Sequence, residues 1–527
     1  MKSLFLSLLV SLSVSTGFCQ KASLNWFLKS KSCSSVYGTG TDKAYTLLKD
    51  KTAKEVVVAV IDSGVEVDHE DLKDMIWVNP NEIPGNNMDD DKNGYVDDIH
   101  GWSFLGGKTM DVNYETSELA RIVMANEIYF KGKEIATLNN ADQLKYEDFK
   151  LKKEEYLKSV QNARSELEQL NVLYGYIVNV KNEFKVYSKK TNKKYVPKNN
   201  NEVKSQKLLK IFNLMIGASA IEKEIMLGYE RANQAIRLSV LDNDSLRNAI
   251  VGDNPNDLYE RFYGCNRYEG PDAMHGTHVS GIIAAKRNNG IGINGIAANA
   301  KIMVLRAVPN GDERDKDVAN AIYYAVDNGA KVINMSFGKD YCNTKEVVDK
   351  AIAYAKSKDV LLVHAAGNAS KNVDSIDFFP NKRLTNGSIA SNWIEIGASS
   401  SSRKGKKLIG DFSNYGAKNV DVFAPGVDIY STVPNNSFED ASGTSMASPV
   451  TAGVAALLRG YFPELSAEEI IEAIKISSIK SKKTVRIPGT KKKTSLINLS
   501  NTGGFVSAEK AVQYLLKKEI KPNVIIK

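Results

Sequence analysis

Four short apolar runs rich in β-branched residues place the strongest constraint on the fold of this 527-residue chain. They are residues 55–61, 301–305, 331–335 and 360–363. Their apolarity is continuous rather than alternating, which is typical of strands covered on both faces. Helical segments lie between them, and a strand–helix–strand order builds a parallel sheet through right-handed crossovers. The sequence therefore predicts an α/β fold of three layers with a central, mostly parallel sheet.

A long segment from about residue 114 to 248 departs from this alternation and is rich in Lys, Glu and Asn. Apolar residues recur in it at spacings of three and four: Tyr156, Val160, Ala163, Leu167, Leu170, Tyr174 and Ile177. This pattern is typical of a helix that packs against another helix. A second helix can follow the turn at 196–201. We therefore expect an α-helical, coiled-coil-like hairpin inserted into the α/β domain.

Three separated motifs carry the residue types of nucleophilic catalysis. The stretch "VIDSG" contains Asp62, "HGTHVSG" contains His275, and "SGTSMASPV" contains Ser445. A serine hydroxyl becomes a good nucleophile when an imidazole accepts its proton, and the imidazole needs an acceptor on its other nitrogen. Each motif alone also fits an ordinary turn, cap or helix start.

Together, and in this order, the motifs resemble those of the subtilisin-like serine proteases, the subtilases. The likeness covers about residues 45–107 and 253–512 and includes "NMSFG", "AAGN" and "DVFAPG". It implies a subtilisin-like fold and a serine endopeptidase acting through an acyl-enzyme. It further implies that Ser445 is the nucleophile and His275 the general base. Asp62 would orient His275, and Asn368 would donate to the oxyanion.

The resemblance also implies a peptide-binding groove formed by main-chain pairing. Its residues would be Ser336, Phe337, Gly338, Ala365, Ala366 and Gly367. His278, three residues after His275, is expected to pack or hydrogen-bond structurally. The pair does not predict a zinc site, because zinc-protease helices place two histidines four residues apart with a glutamate between them.

The stretch "MDDDKNGYVDDIHGW" is a second candidate site. It fits a calcium-loop pattern, with expected ligands Asp89, Asp91, Asn93, Tyr95 and Asp97. The twelfth position is His100 rather than the usual glutamate, and Asp98 could compensate. The alternative is a turn without an ion. Because subtilases often bind structural calcium, we expect calcium here, and no cofactor for catalysis.

Residues 1–19 have the order of a secretory signal peptide, with Lys2 before an apolar run and a small-residue end. The alternative is a lipoprotein signal acylated at Cys19, which the bulky Phe18 disfavours. We therefore expect a secreted, periplasmic or cell-surface protein. No other run reaches the roughly 18 apolar residues of a membrane helix. The cysteines at 33, 265 and 342 allow at most one disulfide, whose pairing stays open.

The net charge of +8 is mild for this length, and no basic motif with interleaved aromatic residues accompanies it. We therefore expect peptide or protein substrates and no nucleic acid. The lysine-rich run 475–493 is interpreted as a solvated loop. Substrate preference, activation and oligomeric state stay open.

The predicted organisation has five parts. These are a signal peptide (1–19), an N-terminal extension (20–50), a peptidase domain (51–113 and 249–515), the helical insertion (114–248) and a C-terminal tail (516–527). One alternative is a catalytically inactive binding protein that uses the insertion, which the intact Asp62, His275 and Ser445 disfavour. Another is a serine esterase, but its G-x-S-x-G signature is not the sequence around Ser445.

Overall fold

The computed structural model describes residues 23–215, 217–240 and 243–520. These residues divide into two compact units. We call residues 116–240 the helical unit, and residues 23–115 with 243–520 the α/β unit. The predicted signal peptide and Cys19 lie outside the described residues.

The α/β unit contains the strands of the described chain. They are β1 (Val56–Asp62), β2 (Gly101–Ser103), β3 (Ala300–Arg306), β4 (Val332–Met335), β5 (Leu361–Ala365), β6 (Trp393–Ser399), β7 (Val422–Pro425), β8 (Ile429–Val433), β9 (Ser437–Ala441), β10 (Ile479–Lys480), β11 (Val485–Arg486), β12 (Lys493–Thr494) and β13 (Gly504–Phe505). Nine of them form one sheet in the order β10-β13-β7-β6-β5-β4-β1-β3-β2. Every neighbouring pair in it is parallel except β10 with β13. The predicted mostly parallel sheet is confirmed.

Helices occur in both units. They are α1 (Lys31–Ser34), α2 (Thr41–Leu47), α3 (Glu118–Phe130), α4 (Asn140–Phe184), α5 (Lys189–Lys194), α6 (Asn200–Met215), α7 (Ala218–Val240), α8 (Asn243–Val251), α9 (Met274–Ala284), α10 (Asp315–Asp327), α11 (Lys345–Ser357), α12 (Thr444–Tyr461), α13 (Ala467–Ile476) and α14 (Ala508–Ile520).

Strand β1 shows how the three layers arise. Val58 and Val60 join the core that includes residues of α9 and α12, whereas Ala59 and Ile61 join the core that includes residues of α10 and α11. Alternate side chains of a strand point to opposite faces, so both faces of β1 are buried against helices. This burial is why its sequence is continuously apolar.

Both ends of the described chain belong to the α/β unit. Trp26, Phe27 and Leu28 are buried in the core with α9 and α12, and the Trp26 indole donates a 3.0 Å hydrogen bond to the Asp428 carbonyl. Helix α14 runs to Ile520, into the segment predicted as a tail. Helix α8 also lies in this unit, although its residues 243–248 were assigned to the insertion. The α/β unit therefore includes residues outside 51–113 and 249–515.

The helical unit contains α3 to α7, so the helical insertion is confirmed but has more helices than a two-helix hairpin. Helix α4 is 45 residues long and packs along α6 and α7. Its buried face includes Leu170, Leu173 and Ile177, whereas Tyr174 of the predicted seam is 38% exposed. An α-helix drifts relative to a strict seven-residue repeat, and Leu173 takes the place expected for Tyr174.

Among the described residues, Cys33 and Cys265 are free thiols, and the Cys342 thiol donates a 3.2 Å hydrogen bond to the Asp315 carboxylate. The helices of that part of the chain also include none with the length and apolarity needed to cross a bilayer.

Candidate active site

Asp62 and His275 are joined at the carboxyl end of β1. His275 is the second residue of α9, and its Nδ1 donates a 2.7 Å hydrogen bond to Asp62 Oδ1. Burial disfavours the charged imidazolium, but the negative charge and hydrogen bond of Asp62 outweigh it and raise the pKa of His275. A proton held on Nδ1 leaves Nε2 of the neutral ring as a proton acceptor. The pair therefore has the geometry of an oriented general base.

Close packing of α9 against the turn after β1 sets this geometry. A Cβ added to Gly276 would lie 2.2 Å from the carbonyl oxygen of Gly64, so a side chain there would force the helix away. The Thr277 hydroxyl also accepts a 2.9 Å hydrogen bond from the Glu66 amide. The small residues of "HGTHVSG" thus bring His275 beside Asp62.

His278 has a different environment. It is fully buried, and its Nε2 donates to the carbonyls of Ile429 and Glu439, each at 3.1 Å. Burial lowers the pKa of His278 to about 4. A neutral, fixed ring between two backbone carbonyls is a structural element, as the sequence analysis expects.

Ser445 lies in the first turn of α12 and is tied to the end of β4. Its hydroxyl donates a 3.0 Å hydrogen bond to the Ser336 carbonyl, and the Ser336 hydroxyl donates a 2.9 Å bond to the Ser445 carbonyl. Met335 pairs with Ile61, so Ser336, which follows β4, and Asp62, the last residue of β1, lie at the same sheet edge. Within the described residues no hydrogen bond joins Ser445 to His275. Proton transfer between them therefore requires the hydroxyl to rotate away from Ser336.

Asn368 is fixed by Thr444, the residue before Ser445. The side-chain oxygen of Asn368 accepts bonds from the Thr444 amide and hydroxyl, both at 2.9 Å. The same hydroxyl accepts a 3.1 Å bond from the Gly367 amide. The sequence analysis missed this positioning role of Thr444, and its place directly before Ser445 was the available signal.

The Asn368 amide nitrogen and the Ser445 backbone amide border one small space. A Cβ added to Gly443 would lie 3.5 Å from each of these two nitrogens. Because the Asn368 oxygen is already bonded to Thr444, its NH₂ group is the end that faces this space. Two N–H donors converging on one point can stabilise a developing oxyanion.

A cleft of about 340 Å³ contains Ser445 and Asn368. Five of the predicted substrate-binding residues line it: Ser336, Phe337, Gly338, Ala365 and Gly367. Ala366 does not, because it is fully buried, and its amide and carbonyl are bonded to Ile396 and Asn414. The cleft therefore brings the predicted groove, nucleophile and oxyanion donors together.

Phe378 is a wall of this cleft that the sequence analysis did not identify. A Cβ added to Gly338 would lie 2.5 Å from its ring, and one added to Gly367 would lie 2.9 Å from it. The ring thus occupies the space between the two segments of the groove. It also borders a second, smaller cavity of about 20 Å³. Phe378 therefore separates the cleft from the space behind it.

Residues 53–503 match the Subtilase family. The chain belongs to the subtilase family. It is 46% identical over 185 residues to the thermophilic serine proteinase of Bacillus sp. (strain AK1), covering 35% of this chain and 42% of that protein. It is 39% identical over 246 residues to thermitase of Thermoactinomyces vulgaris, covering 46% of this chain and 75% of that protein. The chain thus spans less than half the length of the first relative.

A solved structure of proteases from Pseudoalteromonas arctica PAMC 21717 is similar at a TM-score of 0.47 and 20% identity, covering 95% of this chain and 99% of that one. The family match and the parallel sheet confirm the predicted family and fold class, and the first relative is named a serine proteinase, in agreement with the predicted serine endopeptidase.

The predicted calcium loop of this subtilase uses its acidic residues in two ways. Asp89 accepts hydrogen bonds from the amides of Asn93 and Gly94, and Asp97 accepts them from the amides of Gly85 and Asn87. Both carboxylates therefore hold the backbone of the loop. The Tyr95 amide likewise donates a 2.8 Å hydrogen bond to the Asn93 side-chain oxygen, and the Tyr95 ring is buried.

Asp91 instead groups with Glu82 and Asp98, whose ligand oxygens all lie within 4.8 Å of one another. Burial raises the pKa of Asp98 to about 6, against hydrogen bonds from Tyr324, Asn93 and Asn79. Glu82 is 7% exposed, and among the described residues its Oε2 has no hydrogen-bond partner. Three gathered carboxylates with an unpartnered buried oxygen match the oxygen ligands that calcium prefers.

Proposed function

We propose that this subtilase is a secreted serine endopeptidase that hydrolyses peptide bonds through an acyl-enzyme on Ser445. The observation that carries the proposal is the 2.7 Å bond from His275 to Asp62 at the sheet edge that also holds Ser445. In this proposal His275 is the general base, and Asp62 holds its tautomer and stabilises its charged form.

In the acylation half, the Ser445 hydroxyl rotates from Ser336 toward His275 and attacks the carbonyl carbon of the scissile bond. His275 Nε2 takes the proton as the oxygen–carbon bond forms. The carbonyl oxygen becomes an oxyanion that accepts from the Asn368 side chain and the Ser445 amide. Removing one such donor typically lowers kcat by a factor of about 10²–10³. The intermediate then collapses, and His275 donates its proton to the leaving amine.

In the deacylation half, water replaces the departed amine. His275 takes a proton from the water, whose oxygen attacks the ester carbon under the same two oxyanion donors. Collapse releases the carboxylic acid, and the Ser445 oxygen regains a proton from His275. The residues are restored, so no cofactor is consumed.

The groove supports an extended peptide as substrate. Ser336–Gly338 and Ala365 with Gly367 form its two sides, and Phe378 fills the space between the two glycines. A peptide that adds main-chain hydrogen bonds to such segments presents the side chain before the scissile bond to this space. The filled space favours a small residue there, such as Ala or Gly.

The test compares peptide hydrolysis by the intact chain and by three variants, Ser445→Ala, His275→Ala and Asp62→Asn. Each variant should lose several orders of magnitude in kcat/KM, because triad residues act as a unit. The His278→Ala variant should alter the melting temperature more than kcat. No hydrolysis of any peptide by the intact chain would favour the inactive binding protein, and an active Ser445→Ala variant would exclude Ser445 as nucleophile.

We also propose that Glu82, Asp91 and Asp98 hold a structural calcium ion. Bound calcium would offset the repulsion of the three carboxylates and give the Glu82 Oε2 atom a partner. An ion that binds only the folded state stabilises it by mass action. Chelation should therefore lower the melting temperature of the intact chain but not that of a Glu82→Gln, Asp91→Asn variant. Equal melting temperatures with and without chelator in the intact chain would contradict the site.

A further inference from the structure

Two segments without acidic residues pack together in the α/β unit. Residues 396–410 and 473–508 contain no Asp or Glu. Lys483 Nζ donates a 2.5 Å hydrogen bond to the Arg403 carbonyl. A Cβ atom added to Gly405 would lie 2.2 Å from the Thr484 carbonyl oxygen, so the two backbones are in close contact there. These segments contain twelve cations, and we define the basic face by ten of them, leaving out Lys475 and Lys480. The ten are Arg403, Lys404, Lys406, Lys407, Lys482, Lys483, Arg486, Lys491, Lys492 and Lys493.

The charges of the basic face are not paired with carboxylates, and the Asp411 carboxylate at its edge accepts a hydrogen bond from the Gly489 amide instead. All ten side chains except Arg486, which is half-buried, are exposed. Within the described part of the chain none of them forms a salt bridge, whereas Lys382 and Lys475 of the same unit both pair with Asp421. Removing these ten from the net charge of +8 leaves −2, so their summed charge exceeds the net positive charge of the whole chain.

Ten like charges on one face repel one another and attract a polyanion. Eight of the ten are lysines, which bind phosphate as point charges without the paired geometry of arginine. Residues 396–410 and 473–504 contain no aromatic residue on which nucleic-acid bases could stack. Ile476 and Ile497, in the same acid-free segment, are 50% and 52% exposed. Cations with exposed aliphatic side chains fit the interface of an anionic bilayer.

The basic face also reaches the rim of the cleft. The hairpin of β11 and β12 turns at Gly489, whose amide donates a 3.0 Å hydrogen bond to the Asp411 carbonyl. The Ser370 hydroxyl donates a 2.8 Å hydrogen bond to the same oxygen, and a Cβ atom added to Gly489 would lie 2.7 Å from the Ser370 Cβ. Ser370 follows Ala369, which lines the cleft beside Asn368.

We propose that the basic face binds the phosphate groups of an anionic lipid surface and holds the cleft close to that surface. The substrates would then be proteins attached to or lying near the lipid, a point that rests on the proposed peptidase function. The interpretation of 475–493 as a solvated loop omits the second segment, 396–410, which only the fold brings beside it.

The test uses the intact chain carrying Ser445→Ala, so that binding is measured without proteolysis. Sedimentation with vesicles of phosphatidylcholine, with or without about 30% phosphatidylglycerol, gives the bound fraction at low and high salt. The test variant replaces Lys482, Lys483, Lys491, Lys492 and Lys493 by Gln. The matched control replaces five exposed lysines scattered along the helical unit by Gln: Lys131, Lys145, Lys158, Lys207 and Lys223.

The chain should bind the anionic vesicles in a salt-dependent way and leave the neutral ones unbound. The test variant should lose about tenfold or more of its partition coefficient, and the control less than about twofold. The same five substitutions with Ser445 intact should leave hydrolysis of a short soluble peptide unchanged. No binding to anionic vesicles, equal losses in both variants, or binding only to duplex DNA or acidic protein would overturn the proposal.

Discussion

Phe378→Ala should change which side chain is accepted before the scissile bond. In the intact chain the ring lies against Gly338 and Gly367 and closes the space between the two sides of the groove. Without the ring, this space deepens and joins the cavity of about 20 Å³ behind it, which Val373, Asn381 and Glu395 help to line. The pocket would then admit Leu or Phe, which the intact chain excludes.

The magnitude follows from the burial that the opened pocket allows. Burying a Leu or Phe side chain contributes about 1.5–3 kcal/mol. At about 1.4 kcal/mol per tenfold, this range corresponds to a gain of about 10- to 150-fold in kcat/KM for Leu or Phe relative to Ala. The triad and the oxyanion donors do not touch the substitution directly, so kcat for the Ala substrate should stay within a few-fold of the intact chain.

The assay compares chromogenic peptides that differ only in Ala, Leu or Phe before the scissile bond. Phe412→Ala is the matched control, because Phe412 is another half-buried phenylalanine of this unit that does not line the cleft. The ratio of Phe to Ala substrate should rise in the Phe378 variant alone. An intact chain that already prefers Phe, or an unchanged ratio in the variant, would refute the reasoning.

Three further predictions concern the catalytic residues and a buried ion-pair cluster of the α/β unit. Thr444→Val removes the hydroxyl that fixes Asn368, so kcat should fall by about 10- to 100-fold with little change in KM. Initial-rate measurements test this, and Thr444→Ser, which keeps the hydroxyl, should restore kcat. Asp62 raises the pKa of His275, and His275 must be neutral to act as a base. In a plot of kcat/KM against pH, the midpoint of the acidic limb should therefore lie above pH 6.5, and it should move to lower pH in the Asp62→Asn variant. Arg247→Met leaves buried carboxylates without their cation, so urea unfolding should show a loss of about 3–5 kcal/mol. Arg261→Met, which removes a half-buried cation paired with the exposed Asp327, should lose less than about 1 kcal/mol.

The sequence predicted the centre of the sheet because burial on both faces leaves a readable pattern. Strands β1, β3, β4 and β5 coincide with the four apolar runs. Strands β10 and β13 contain two residues each, which is too short for any periodicity to appear. Their places in the sheet depend on partners distant in the chain. The helical insertion was readable for the opposite reason, since long amphipathic helices repeat their pattern many times.

The candidate site was predicted only where the residues lie within a family motif. Asp62, His275, Ser445 and Asn368 each do. Phe378 does not, because it comes from a loop without periodicity and is recognised only by its contact with the groove glycines. Glu82 lies seven residues before the calcium pattern, and Asp89 and Asp97 serve backbone amides instead. Spacing alone cannot show which carboxylate faces an ion and which faces an amide.

The most direct test of the account is to locate the atom that a fluorophosphonate modifies. This reagent forms a stable bond only with a serine oxygen that a neighbouring base has activated. Peptide mass spectrometry of the labelled intact chain should place one phosphonyl group on Ser445, and the His275→Ala variant should label far more slowly. A chain that stays unlabelled while folded, or labels on another serine at the same rate in both proteins, would contradict the proposed mechanism.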